Sequence, residues 1–145
     1  MKPEYKNIIV AVDGSKEADI AFTKSLDISK QNNSRLIIAH VVDTRSIAIV
    51  EPYDRTIIEK VEQDTKDMID NYVNRAKNAG VENLIPCIKF GSPRTVLTKD
   101  LAKEYDVDLI ICGATGLNAV ERFFIGSVSE SIVRYAPCDV LVVRS

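Results

Sequence analysis

Short apolar runs rich in β-branched residues alternate along this chain with longer segments in which apolar residues recur at helical spacing. Runs without polar alternation are what strands buried on both faces of a parallel sheet require, and the helical segments between them supply the crossovers. Five strands are predicted: Asn7 to Asp13, Arg35 to Val42, Leu84 to Phe90, Asp108 to Cys112 and Cys138 to Arg144. Pro86 cannot donate a ladder hydrogen bond, so the third strand is expected at a sheet edge.

After the first strand, Ser15 is placed to cap a helix whose inner face carries Ala18, Ala21, Phe22, Ser25, Leu26 and Ser29. A longer, charged helix is expected over 54–79, with Ile57, Ile58, Val61, Thr65, Met68, Ile69, Tyr72, Val73 and Ala76 on its packed face and Gly80 as its stop. Ser92 and Pro93 read as N-cap and first position of a helix running to about Tyr105. A last helix is expected over 126–136. The segment from Thr44 to Tyr53 holds Ile47, Ala48, Ile49 and Val50 without a clear period and is expected to form a mobile flap.

Alternating strands and helices joined by right-handed crossovers make this an α/β chain. It should form an open, five-stranded parallel sheet with helices on both faces. In such sheets ligands bind at the C-terminal ends of the strands, where the strand order reverses, so the loops after strands one and four carry the functional interest.

Composition narrows the picture. With 145 residues, 46% of them hydrophobic, the chain suits one domain spanning residues 1–145. Basic residues number 19 against 21 acidic, for a formal charge of -2 without long runs of one sign, so neither nucleic acid nor a membrane surface is an expected partner. No stretch has the roughly 18 apolar residues of a membrane span, and the opening MKPEYKN lacks a signal-peptide core, which points to a cytoplasmic protein. Cys87, Cys112 and Cys138 are widely spaced inside apolar runs and are expected to be buried, inert thiols with no metal to bind.

The most informative stretch follows the fourth strand: Gly113-Ala114-Thr115-Gly116, then Leu117 to Ile125, then Gly126-Ser127-Val128-Ser129 opening a helix. A phosphate needs several converging N–H donors, which glycines allow by letting backbone approach closely and which a helix N-terminus supplies together with partial positive charge. The hydroxyls of Ser127 and Ser129 and the cation of Arg122 could add to such a site. A different reading fits the same spacing: Gly113 and Gly116 turn the chain, and Ser127 with Glu130 forms a capping box. A carboxylate at Glu130 also competes with phosphate for the helix end. His40 lies inside an apolar strand and reads as structural. No nucleophile elbow, dinucleotide fingerprint or Walker sequence is present, so no catalytic residue is assigned.

Over nearly its whole length, from YKNIIVAVDGS to CDVLVVRS, the chain resembles the universal stress proteins. Gly113, Gly116, Gly126 and Ser127 match the glycine, two residues, glycine, nine residues, glycine-serine spacing of that family's ATP-binding branch. The resemblance implies a Rossmann-like, adenine nucleotide alpha hydrolase-like sheet in the order 3-2-1-4-5. It also implies Ala11, Val12 and Val41 around adenine, Asp13 at the ribose or adenine end, and Gly116, Gly126, Ser127, Val128 and Ser129 on the phosphates of ATP, with Mg2+ bridging them. A turn or capping role for Asp13 stays open. Ala114-Thr115 stands where family members often carry a basic residue or histidine, which removes one phosphate contact, and Pro137-Cys138-Asp139 rearranges a common Cys-Pro. Dimerisation through the last strand is implied as well, and the run Val140-Leu141-Val142-Val143 is itself a template for pairing with a second copy. The expected protein is a nucleotide-dependent stress-response homodimer with slow or no hydrolysis. A slow ATPase or self-phosphorylating enzyme using Ser127, Ser129 or Thr115, and a partner-binding module whose glycines are only structural, are the alternatives.

Overall fold

The computed structural model describes residues 5–45, 55–115 and 125–144. Five parallel strands, β1 (Asn7–Ala11), β2 (Arg35–Asp43), β3 (Leu84–Gly91), β4 (Leu109–Gly113) and β5 (Asp139–Val143), pair in the order β3-β2-β1-β4-β5. Pairing is in step along the sheet, with Val10 beside Ile38 of β2 on one side and Ile111 of β4 on the other. The 3-2-1-4-5 order, the parallel sense and the edge position of β3 agree with the sequence reading.

Alternate residues of each strand feed two cores, as the period of two requires. On one face Ile8, Val10, Leu36, Ile38, Leu109 and Ile111 meet α1 (Lys16–Asn32) and α2 (Arg55–Asn78). On the other, Ile9, Ile37, Ala39, Val41, Ile110 and Cys112 meet α3 (residues 93–104) and α4 (Ser127–Tyr135). Because both faces are covered, the central strands read as unbroken apolar runs.

The buried residues of α1 are the predicted Ala18, Ala21, Phe22, Ser25, Leu26 and Ser29, and Ser15 caps the helix by accepting the Ala18 amide at 3.1 Å. Helix α2 ends at Asn78, and Gly80, at φ +91°, turns the chain out so that the Val81 amide reaches back to the Ala76 carbonyl at 3.0 Å. Helix α3 departs from expectation. It runs as α-helix over Pro93–Thr95, widens to a π-helix over Val96–Leu101 and closes as α-helix over Ala102–Glu104. Ser92 precedes it in extended conformation without a side-chain capping bond. Inside the first turn the Thr98 hydroxyl donates to the Arg94 carbonyl at 2.6 Å, competing for the regular i−4 acceptor. The wide turn lets Val96, Leu97, Thr98 and Leu101 all be buried.

Gly116, Arg122, most of the 117–125 loop and most of the expected 44–53 flap lie outside the described residues.

Candidate functional site

The helix after β1 packs on one face of the sheet and the helix after β4 on the other, so their connecting turns part at the C-terminal ends of two neighbouring strands. This is the crevice that a reversal of strand order creates. Its walls are the 12–15 turn and the 113–115 and 126–129 segments.

The β4 side is stitched together by backbone. The Ala114 amide donates to the Val143 carbonyl at 3.0 Å, and the Gly126 amide donates to the Ala114 carbonyl at 2.7 Å, pinching the base of the intervening loop. The Ser129 hydroxyl, buried at 6% exposure, donates to the Gly113 carbonyl at 2.6 Å and anchors the first turn of α4 to β4. Its hydroxyl proton is therefore engaged inside the protein, and what Ser129 presents to the crevice region is its amide. Ser127 and Val128 are exposed, and Thr115 is half-buried.

Gly126 is the N-cap of α4, at φ -63° and ψ 158°, and no side chain caps the helix. The first intrahelical bond runs from the Glu130 amide to the Gly126 carbonyl at 2.9 Å. The amides of Ser127, Val128 and Ser129 thus have no acceptor among the described residues. The alternative capping box does not form: Ser127 is already inside the helix, and the Glu130 carboxylate accepts from Arg134 one turn on, at 3.2 Å. The backbone angles of Gly126 are open to any residue.

Gly113 is different. A Cβ built on it would stand 3.0 Å from the backbone carbon and oxygen of Glu17, so glycine here lets the first turn of α1 lie against β4. Sequence reasoning had no means of seeing Glu17 as its neighbour.

On the β1 side the chain leaves regular pairing after Ala11, although the Val12 amide still donates to the Ala39 carbonyl at 2.9 Å. Asp13 sits in the turn, half-buried, with Oδ1 accepting the Ser15 amide at 2.9 Å. The turn role weighed for it is thus present. Val12 and Val41 are buried and Ala11 half-buried. His40 holds its Nδ1 2.7 Å from the Val12 carbonyl, which fixes the proton on that nitrogen and makes the ring a tie between β2 and the end of β1.

Two helix N-termini therefore flank the crevice. That of α1 has its Ala18 amide capped by Ser15 and carries Glu17 and Asp19 in its first turn. That of α4 is headed by a glycine without a capping side chain and carries Glu130 alone, so an anion is better favoured at the second. Cys112, between them on β4, has its thiol pushed up to about 11 by burial and is not a nucleophile near neutral pH. Among the described residues no group of three or more His, Cys, Asp or Glu side chains is placed to hold a metal.

Comparison with known proteins decides the lineage: the model of the Universal stress protein family matches residues 4–144. The chain belongs to the universal stress protein family. A Staphylococcus saprophyticus protein bearing that family name is 50% identical over 141 residues, which are 97% of this chain and 84% of the relative. The solved universal stress protein UspA of Lactobacillus plantarum superposes with a TM-score of 0.84 at 32% identity, covering 97% of this chain and 99% of that one. A universal stress protein solved in complex with cAMP superposes at 0.76 with 25% identity, covering 97% and 98%. Among the described residues of this universal stress protein, no helix is long and apolar enough to cross a membrane.

Proposed function

We propose that this universal stress protein binds adenine nucleotides, ATP with Mg2+ foremost, in the crevice between β1 and β4. The observation that carries the reading is the N-terminus of α4: three amides without an acceptor among the described residues, headed by a glycine whose own conformation does not call for glycine. A side chain at that position would stand over the helix end, so a glycine there suits close approach of a phosphate. A solved relative in complex with cAMP supports an adenine ligand.

In this arrangement the amides of Ser127, Val128 and Ser129 hold phosphate oxygens, with Gly116, Thr115 and Arg122 contributing from the loop. Ala11, Val12 and Val41 border adenine. The Asp13 carboxylate, with one oxygen on the Ser15 amide, meets a ribose hydroxyl with the other. Bound Mg2+ would neutralise phosphate charge. The Ser129 hydroxyl is committed to the Gly113 carbonyl, and the chain carries neither a Walker sequence nor a nucleophile elbow. The reading is therefore of a cytoplasmic stress-response protein that senses or carries nucleotide, with slow or no hydrolysis.

β5 is an edge strand whose Val140, Leu141 and Val142 are only half-buried, and pairing of this edge with a second copy gives the homodimer. Light scattering at micromolar concentration should return twice the 16.1 kDa chain mass; a strict monomer overturns the dimer. For the ligand, thermal denaturation of nucleotide-stripped protein should show ATP, AMP and cAMP raising Tm. At a hundredfold excess over Kd the gain is about 2.7 kcal/mol. No shift with any of them at millimolar concentration contradicts the reading.

A further inference from the structure

The pairing of β1 with β2 runs from Asn7 beside Arg35 to Ala11 beside Ala39 and stops there. Its last bond is from the Val12 amide to the Ala39 carbonyl at 2.9 Å. In a continued parallel ladder the next bond would run from the Val41 amide to the Val12 carbonyl, because the backbone polar groups of alternate residues face the same neighbouring strand. That bond is not made. The Val12 carbonyl lies instead 2.7 Å from the His40 Nδ1, and since a carbonyl can only accept, the imidazole N–H is the donor. A side chain of β2 has taken the acceptor that the backbone of β2 would otherwise use.

The Val41 amide and carbonyl face the same side as those of Ala39, toward β1, but at their level β1 has already turned away into the segment that carries Asp13. They are left without β1 partners and set a donor beside an acceptor at the C-terminal end of β2, on the border of the crevice. The edge of adenine is complementary to such a pair, since its N1 accepts and its 6-amino group donates. A 6-oxopurine reverses both, with N1–H a donor and O6 an acceptor. We propose that His40 is a positioning residue that sets base choice: by taking the Val12 carbonyl it releases the Val41 amide and carbonyl to read the purine edge, and so selects adenine over 6-oxopurines. The inference rests on the reading of the crevice as a nucleotide site. It makes base specificity depend on a side chain that acts through the strand end rather than on the base.

His40→Leu removes the donor, and the Val12 carbonyl should then draw the Val41 amide and lengthen the ladder by one bond. Calorimetric titrations with Mg-ATP and with Mg-ITP, whose base is the 6-oxopurine hypoxanthine, should show the wild type preferring ATP. In His40→Leu affinity for ATP should fall about three- to tenfold while affinity for ITP does not fall. His40→Asn keeps an N–H donor near the place of Nδ1 and should hold the preference for ATP near the wild-type level. Unchanged ATP affinity in His40→Leu, or equal losses for ATP and ITP as a merely structural role would give, overturns the proposal. If the wild type binds neither nucleotide, the binding reading fails separately, and hydrogen exchange on the nucleotide-free proteins decides the release of Val41. The Val41 amide should exchange several-fold more slowly in His40→Leu than in the wild type, relative to the Ala39 amide, and equal rates overturn the release.

Discussion

Gly113→Ala isolates the structural duty of one motif glycine. The new Cβ would stand 3.0 Å from the Glu17 backbone carbon and oxygen and 3.1 Å from the Glu17 Cβ. These are backbone atoms of the first turn of α1, which cannot swing aside as a side-chain tip would. A few tenths of an ångström must come from displacing α1, which is anchored through Phe22 and Ala21, both fully buried. Overpacking of this kind costs about 1–3 kcal/mol. At about 2–4 °C per kcal/mol for a chain of this size, Tm should fall by roughly 2–12 °C. Circular dichroism melts of nucleotide-free wild type and variant measure it, with urea titrations checking that the m-value holds. Since the clash is with α1 and not with a ligand, the loss must appear without nucleotide. A Tm within about 1 °C of wild type would refute the close approach of α1 to β4.

Glu130→Gln removes a negative charge from the start of α4 and should tighten ATP binding about two- to fivefold while leaving neutral adenosine unchanged, as titrations of both ligands would show. Equal effects on the two would mean that Glu130 does not act through charge. Ser129→Ala deletes the hydroxyl that ties α4 to the Gly113 carbonyl and should lower stability by about 1–2 kcal/mol in urea unfolding; no change would mean that the bond contributes nothing. Burial raises the thiols of Cys112 and Cys138 from 9.0 to about 11, and burial with the Asp19 charge raises Tyr72 from 10.0 to about 12. Each group releases its proton more readily unfolded, so this stability is intact below about pH 9 and is lost as pH climbs through about 11 and 12. Urea midpoints should fall steadily over that window, and a flat profile would contradict the burial of these groups.

The sheet was legible because burial on both faces leaves unbroken apolar runs, and the inner face of α1 because six small or apolar positions recur with the helical period. Pro86 marked the edge strand through its missing donor. Residues that act across long stretches of chain were not legible. The contacts of Gly113 with Glu17 and of Gly14 with Met68 join segments far apart in sequence, and Met68 read only as one more residue of a packed stripe. Local chemistry misled in three places. Ser92 and Ser127 looked like caps, yet Ser92 makes no capping bond and the chain enters α4 one residue before Ser127, at Gly126. The wide turn of α3, where Val96, Leu97, Thr98 and Leu101 are all buried, is a departure that periodicity does not record.

The central claim is that the open N-terminus of α4 receives the phosphates of an adenine nucleotide. Calorimetric titration of nucleotide-stripped protein with Mg-ATP, beside Gly126→Val, tests it most directly. The φ and ψ of Gly126 lie in a region that valine also occupies, so the variant should fold. Saturable binding in wild type, weakened at least about tenfold in Gly126→Val with a wild-type circular dichroism spectrum, is the predicted result. Equal binding by the two proteins, or none by the wild type, would contradict the claim.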